Sequence, residues 1–561
     1  MSIVGAVPTV AQLLLERADD DHTALCYGDA SWTWRQVVEE SVAWAMWLGR
    51  IRQDGPFHVG VLLDNVPEYL FLLGAVALSG ATVVGINPTR RGAELAADIR
   101  HTDCQILVTD NAQRRLIDGL DTGVAPGRVF VVGDPELVAE VRTPGSLPDQ
   151  LPAPGALYLL LFTSGSTGAP KAVRVSQGRL ADAGLTTARG AGFTAADVLY
   201  CAMPMFHGNA LNLCIVPAMA SGACLVVRRR FSASGFLPDV RRYGVTYFNY
   251  VGRALAYVLA TPPLPDDAEN TLRFGFGTDA SPSDISAFKK RFGCPIVEGY
   301  GSSEGAISMS RIPGTPRQAI GVPPPGTEVA IVDPVSGQEC PAARIDGGGR
   351  LLNAAEAIGE IISRNGVQRF EGYYANEEAD AERTRGGWFW SGDLGYRDEA
   401  GFFYFAGRPA DWLRVDGENF AAAPVERILA RLPGVVTAAV YPVPDPRTGD
   451  QVMAALELTP GTSFDPAALA GFLAGQEDLG TKWAPRFVRL VEQIPLTGTN
   501  KVDKRPLRRE AWITTDPVWW RPFVGRGADD ARSSYRLLTA ADVDGLHDEI
   551  AAHGRTGLLE F

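Results

Sequence analysis

Hydroxyls and glycines crowd together through Thr163, Ser164, Gly165, Ser166, Thr167 and Gly168, and the run closes on Ala169, Pro170 and Lys171. Glycines let successive backbone N–H groups converge on an anion, hydroxyls add further donors, and an ammonium adds a point charge. The chemistry such a combination serves is the grip of a phosphate group. It is not a Walker A loop, because the step from Gly165 to Lys171 has the wrong length and Ala172 stands where a Ser or Thr would meet magnesium. The uncharged run at residues 157–162 is long enough for one buried strand, so the loop is expected at a strand end.

The segments around this loop keep a regular rhythm. Apolar residues at 34, 37, 38, 42, 45 and 48 mark one face of a helix. Strand-like stretches at 58–63, 81–86, 105–109 and 129–132 alternate with helical ones at 67–78 and 93–101, the pattern of a largely parallel sheet covered by helices. Ser79 and Gly80 interrupt the uncharged span 69–86, which therefore reads as buried helix followed by buried strand, not as a membrane crossing. A chain of 561 residues exceeds what one core holds, so two or more domains are expected. Its 46% hydrophobic and 21% charged residues are those of a globular protein. A net charge of -13 counts against nucleic acid as a partner and against a general attraction to anionic membranes. Seven cysteines with no Cys-x-x-Cys pair, and no signal peptide at the start, lead us to expect reduced thiols and a cytoplasmic location.

Residues 163–171 resemble the phosphate loop of the adenylate-forming superfamily, which comprises acyl-CoA synthetases, peptide-synthetase adenylation domains and luciferases. Further motifs in that family's order extend the resemblance over residues 8–512. The details are most similar to the fatty-acid transport protein and very-long-chain acyl-CoA synthetase branch, in its actinobacterial fatty-acid–CoA ligase form. The resemblance implies an α/β fold. A large N-terminal domain of mainly parallel sheets flanked by helices would span residues 1–408, a small mobile α+β C-terminal domain 409–512, and an extension of unassigned role 513–561.

Site roles follow from the same resemblance. Thr163, Ser164, Gly165, Ser166, Thr167, Gly168 and Lys171 would bind the phosphates of ATP. The motif Tyr300-Gly301-Ser302-Ser303-Glu304 matches one in which an aromatic flanks adenine, a hydroxyl meets phosphate and a Glu reaches magnesium. A hard cation demands oxygen ligands, which Thr167 and Glu304 would supply. Gly277, Thr278 and Asp279 would complete the adenine site, Asp393 would take the ribose hydroxyls, Arg408 would contact the ribose, and Asp411 would be the hinge. Ser391 stands where most relatives carry Thr. His207 would lie near the reacting carboxyl group, and with Asn209, Asn249, Tyr250, Val251, Gly252 and Tyr257 would line the acyl pocket. Lys501 would be the catalytic lysine, with Lys504 a surface neighbour, and Gly417 and Glu418 would serve the coenzyme A step. A chain with six lysines against 46 arginines keeps Lys at both 171 and 501, which favours a compact ammonium over a guanidinium fork there.

The expected activity is that of an ATP-dependent acyl-CoA ligase using Mg2+ and coenzyme A, with Lys501, Glu304, Thr167 and His207 as the catalytic set. It would join a small-molecule hydrophobic carboxylic acid, by branch resemblance a fatty acid, to coenzyme A through an acyl-adenylate, releasing AMP and pyrophosphate. The alternatives are a ligase for a steroid side-chain acid, an acyl-AMP ligase that does not use coenzyme A, and a lipid-binding or uptake protein. No transmembrane segment is expected; the sequence leaves peripheral membrane contact and a homodimer open. The aromatic stretch from Pro517 to Phe523 needs a surface to bury it, on the small domain or on a partner subunit.

Overall fold

Helix Pro67–Ser79 is apolar on every side, and all its residues but Glu68 are buried. A helix without a polar face must be covered all round. One cover is helix Trp34–Ile51, which starts at the Thr33 capping box. The two come so close that a methyl on Gly74 would overlap the Ser41 side chain. Gly80 ends the buried helix in the left-handed conformation with φ 70°, and strand Thr82–Gly85 follows, wholly buried. The expected helix-then-strand reading of this apolar span holds, and no described helix is long and apolar enough to cross a membrane. The computed structural model describes residues 7–163, 171–251, 254–278, 280, 282–346, 351–407, 412–415, 418–446, 450–476, 479, 482–497, 501–522, 535–553 and 555.

Two sheets carry the large part of the chain. One runs in the order Val129–Val131, Cys104–Thr109, His58–Leu62, Thr82–Gly85, Leu157–Thr163 and Lys171–Ser176. Its first five strands are parallel, and the last pairs antiparallel, with Thr163 opposite Lys171. The other has a parallel centre of Ile296–Gly301, Phe274–Thr278, Tyr247–Val251, Val198–Cys201, Cys224–Val227 and Thr23–Tyr27, with Ser308–Ser310 and Ala30–Thr33 added antiparallel at its edges. The sheets meet at their carboxyl ends. Gly85 lies against the backbone of Phe206, where a Cβ would come within 2.8 Å of the carbonyl oxygen. Asn65 secures the same junction, donating to the Met203 carbonyl at 2.9 Å and accepting from the Met205 amide at 2.9 Å. Ligands of open α/β sheets bind at such strand ends.

A third sheet, Val329–Val332, Gly359–Ser363, Phe389–Arg397 and Phe403–Gly407, is antiparallel. Its Asp398 to Gly401 turn was legible, but Val329–Val332 and Gly359–Ser363, wholly buried short strands of which the second carries Glu360 and Ser363, were not.

Beyond residue 411 the hairpin of Trp412–Val415 and Glu418–Ala421 precedes a five-stranded sheet, in the order Val435–Pro444, Asp450–Leu458, Phe487–Val491, Val518–Trp520 and Arg536–Leu537. The last two strands come from the stretch with no assigned role. Trp512, Val518 and Trp520 share a core with Phe487 and Met453, closed by Leu546 and Ile550 of helix Ala540–Ala552. Val518 and Trp520 of the aromatic segment are thus buried on the small domain's own sheet, with Trp519 half-buried and Phe523 outside the described residues. Lys504 is no surface neighbour: its side chain is 15% exposed and pairs with Glu426 at 2.9 Å.

Candidate functional site

Strand Leu157–Thr163 delivers the chain to the phosphate loop, and Lys171 receives it on the antiparallel return strand. Ser164, Gly165, Ser166, Thr167 and Gly168 lie outside the described residues, as do Gly252, Asp279, Arg408, Asp411 and Gly417; Glu418 lies in a described strand, its side chain outside the description. Lys171 is buried, its ammonium 3.0 Å from Glu382 and 5.9 Å above the centre of the Tyr373 ring. The ammonium holds the Glu382 carboxyl below the usual carboxylate range.

Strand Ile296–Gly301 positions the next group. Tyr300 donates to Asp393 at 2.6 Å, so the aromatic and the carboxylate expected around a nucleoside are joined although 93 residues apart. Both Asp393 and Glu304 are buried. Tyr373 donates to Glu304 at 2.7 Å. Ser302 keeps a buried hydroxyl oxygen with no hydrogen-bond partner among the described residues. Burying a hydroxyl unpaired is costly, which makes this atom a candidate contact for a ligand oxygen. Ser303 lends its carbonyl to Arg179. Gly301 is exposed, with nothing closer to its Cα direction than the Ile307 carbonyl at 3.9 Å.

Gly277 and Thr278 end the neighbouring strand, but the space a side chain on Gly277 would occupy is taken by the Tyr250 ring, 2.5 Å from the Cβ position. Tyr250 in turn donates to Glu298 at 3.1 Å, and the Ala280 amide donates to the same oxygen at 2.8 Å. The pleat separates residues expected together in an acyl pocket. Val251 faces the main core with Tyr247, whereas Tyr250 faces the aromatic core of Phe236, Phe248 and Phe288. Tyr257 is half-buried on helix Ala254–Leu259. Asn249 donates to Asn209 at 2.5 Å while its own amide oxygen is buried without a hydrogen-bond partner among the described residues. The wall opposite is Gly208–Ala210, a π-helical turn at Leu211–Ile215 and helix Val216–Ser221, all largely apolar.

His207 caps this wall. The Asn209 amide donates to its Nδ1 at 3.3 Å, so the neutral ring carries its proton on Nε2. Burial, reinforced by the positive charge of Lys501, brings the imidazole down to about 4. Lys501, which belongs to the small domain, is thus the positive charge that acts on this ring. Because the folded value lies below the ordinary one, the neutral ring's contribution to stability is complete above about pH 6.5 and is lost as pH falls toward 4. An NMR titration is expected to find this ring neutral down to about pH 5, and a midpoint near 6.5 would contradict the placement.

Four groups that pattern reading passed over belong to the site: Glu371, Tyr373, Glu382 and Arg383. Glu371 takes the Ser176 amide at 2.7 Å and hydroxyl at 2.6 Å, and Arg383 donates to the Trp390 carbonyl at 3.1 Å and to Tyr373 at 3.3 Å. The only sequence signal was Phe370-Glu-Gly-Tyr-Tyr, an aromatic cluster about a glycine.

Comparison with known proteins shows the family to which the chain belongs. The family described as AMP-binding enzyme matches residues 15–374, and the AMP-binding enzyme C-terminal domain matches residues 424–501. The chain is 53% identical to a steroid-22-oyl-CoA synthetase of Rhodococcus jostii, over 98% of this chain and 99% of the relative. It is 45% identical to a medium/long-chain-fatty-acid–CoA ligase of Mycobacterium tuberculosis, over 91% and 98%. Among solved structures, ATP-bound MatB from Rhodopseudomonas palustris superposes with a TM-score of 0.76 at 24% identity, over 89% of this chain and 98% of that one, a likeness of fold. The chain belongs to the AMP-binding enzyme family.

Proposed function

We propose that the protein is an AMP-forming acid–coenzyme A ligase acting on a hydrophobic carboxylic acid. The observation that carries the reading is the match to the AMP-binding enzyme family over both parts of the chain, beside a site that joins Tyr300 to Asp393 and holds the buried Glu304 carboxylate on Tyr373.

A carboxylate resists nucleophiles because it is negatively charged and has no leaving group. In the first step one carboxylate oxygen attacks the α-phosphorus of ATP, and the bond to pyrophosphate breaks. Negative charge spreads over the phosphate oxygens, so positioning and positive charge supply the catalysis. Lys501 would bridge the carboxylate and the α-phosphate. Thr163 to Gly168 would hold the distal phosphates, and Asp393, oriented by Tyr300, would accept from the ribose hydroxyls. Neutral His207 would present Nε2–H to the acid without adding a charge that competes with Lys501. In the second step the thiol sulfur of coenzyme A attacks the adenylate carbonyl, AMP leaves with the bonding pair, and the thiol proton passes to solvent. A lysine filling that side would obstruct the thiol, and rotation about residue 411 would withdraw it and bring Gly417 and Glu418 forward.

The residues present fit magnesium. Glu304 is a single buried carboxylate with one oxygen engaged, the donor set of a hard cation held by few protein oxygens and by substrate phosphates. Bound there with Thr167, magnesium would neutralise charge on the phosphates.

Branch resemblance favours a fatty acid, but the higher identity and fuller coverage of the steroid-22-oyl-CoA synthetase favour a steroid side-chain acid. Incubation with ATP, Mg2+, coenzyme A and a mixture of fatty and steroid-side-chain acids decides, with products identified by mass. Acyl-CoA thioesters, dominated by the steroid acid, are expected; adenylates without thioesters would contradict the ligase reading.

A further inference from the structure

Residues 371–385 form a strap between three motifs. It pairs with the strand leaving the phosphate loop, through Arg174 N–H to the Gly372 carbonyl at 3.0 Å and Tyr374 N–H to the Ala172 carbonyl at 2.8 Å. It then turns into helix Glu377–Arg383, capped by Asn376. Glu382 on this helix holds Lys171, and the adjacent Arg383 holds Tyr373 and the Trp390 carbonyl. A Cβ on Gly392, next to Asp393, would meet the Arg383 guanidinium at 2.5 Å, so the glycine makes room for it.

The hydrogen-bond direction in this strap is fixed by chemistry. An Arg Nε–H can only donate, so Tyr373 accepts from Arg383 and must turn its own proton to Glu304. That engages Oε1 of Glu304, whose Oε2 takes no hydrogen bond from a described residue. Lys171, meanwhile, is buried and engaged: to touch a phosphate its ammonium would have to leave Glu382 and the face of the Tyr373 ring. The cost of separating the pair falls on Lys171, whose buried ammonium would lose its partner, whereas the exposed Glu382 carboxylate would be taken up by water.

We propose that Lys171 works as a positioning residue, anchoring the strap through Glu382 so that Arg383 and Tyr373 present the Glu304 carboxylate to the cation, and that it does not bind phosphate itself. This rests on the nucleotide reading above and reassigns the lysine expected to grip phosphate. Lys171, Glu382, Arg383, Tyr373 and Glu304 form one relay from the end of the phosphate loop to the magnesium carboxylate.

The test uses Tyr373→Phe, Glu382→Gln and Lys171→Met in the full chain, with two readouts that need no turnover. One is the Mg2+ concentration that gives half of the thermal stabilisation by saturating ATP. The other is calorimetric ATP binding in EDTA. Tyr373→Phe keeps the ring and removes a hydrogen bond to a charged group, and it is expected to raise the Mg2+ requirement about tenfold. Glu382→Gln and Lys171→Met shift it the same way, and metal-free ATP binding is unchanged in all three. If Lys171 bound phosphate directly, Lys171→Met would weaken metal-free ATP binding while Glu382→Gln, freeing the ammonium, would strengthen it. That pair of opposite signs overturns the proposal, as does an unaltered Mg2+ requirement in Tyr373→Phe. Where Lys171→Met is too unstable to purify, the sign for Glu382→Gln decides. A parent protein that ATP does not stabilise at any Mg2+ concentration would overturn the nucleotide reading, and the relay with it.

Discussion

Lys501→Ala is expected to lower adenylate formation about 10²- to 10³-fold while thioester formation from supplied acyl-adenylate continues near the parental rate. The lysine's backbone is paired with Thr497 through two hydrogen bonds. Thr497 N–H donates to the Lys501 carbonyl at 2.7 Å, Lys501 N–H donates to the Thr497 hydroxyl at 3.1 Å, and Leu496 bridges Val502. These pairings fix where the side chain starts, and its positive charge lowers the His207 imidazole further. Its stabilisation acts on charge that develops only while the α-phosphorus is attacked, and attack of the thiol on a finished adenylate has no use for it. Rapid-quench measurement of the two half-reactions separates the cases. Equal loss in both would mean that Lys501 holds the domain in place and does not act on the phosphate.

The second large effect concerns stability. Trp520→Ala should cost about 3–5 kcal/mol, read as a lowered denaturant midpoint for the transition of the small domain. Trp520 is 8% exposed, lies within 8° of parallel to Phe487 at 5.9 Å, and has the guanidinium groups of Arg486 and Arg536 against its faces at 5.9 and 5.2 Å. Leu546 and Ile550 seal the same cluster, so the ring has no route to relax into solvent. A change below about 0.5 kcal/mol, the size of an ordinary surface substitution, would contradict the packing described. The result also bears on domain organisation: we propose that residues 513–522 and 535–553 fold as part of the small domain, since two of its strands come from them.

What could be read in advance was local. Strands at residues 58–62, 82–85, 104–109 and 157–163 showed as short apolar runs because burial on both faces demands them, and the apolar helix before Gly80 showed for the same reason. The site was legible where chemistry and sequence coincide, as in the run from Tyr300 to Glu304. It was not legible where partners lie far apart along the chain. Tyr373 and Glu304 are 69 residues apart, and Lys171 and Glu382 are 211 apart. Nothing local marks Glu382 or Arg383 as different from a solvated helix face. The alternation of Asn249, Tyr250 and Val251 across a pleat was available in principle, but a run of apolar and aromatic residues conceals which face turns to a ligand. Lys504 looked like a surface residue because only the fold brings Glu426 to it.

The most direct measurement follows oxygen. An acid labelled with heavy oxygen in both carboxyl positions is turned over with ATP, Mg2+ and coenzyme A, and the nucleotide product is weighed. Attack of the carboxylate on the α-phosphorus leaves one carboxyl oxygen on the phosphorus, so when the thiol displaces the nucleotide the AMP must carry one heavy oxygen. Unlabelled AMP, or ADP with labelled inorganic phosphate, would contradict an acyl-adenylate pathway.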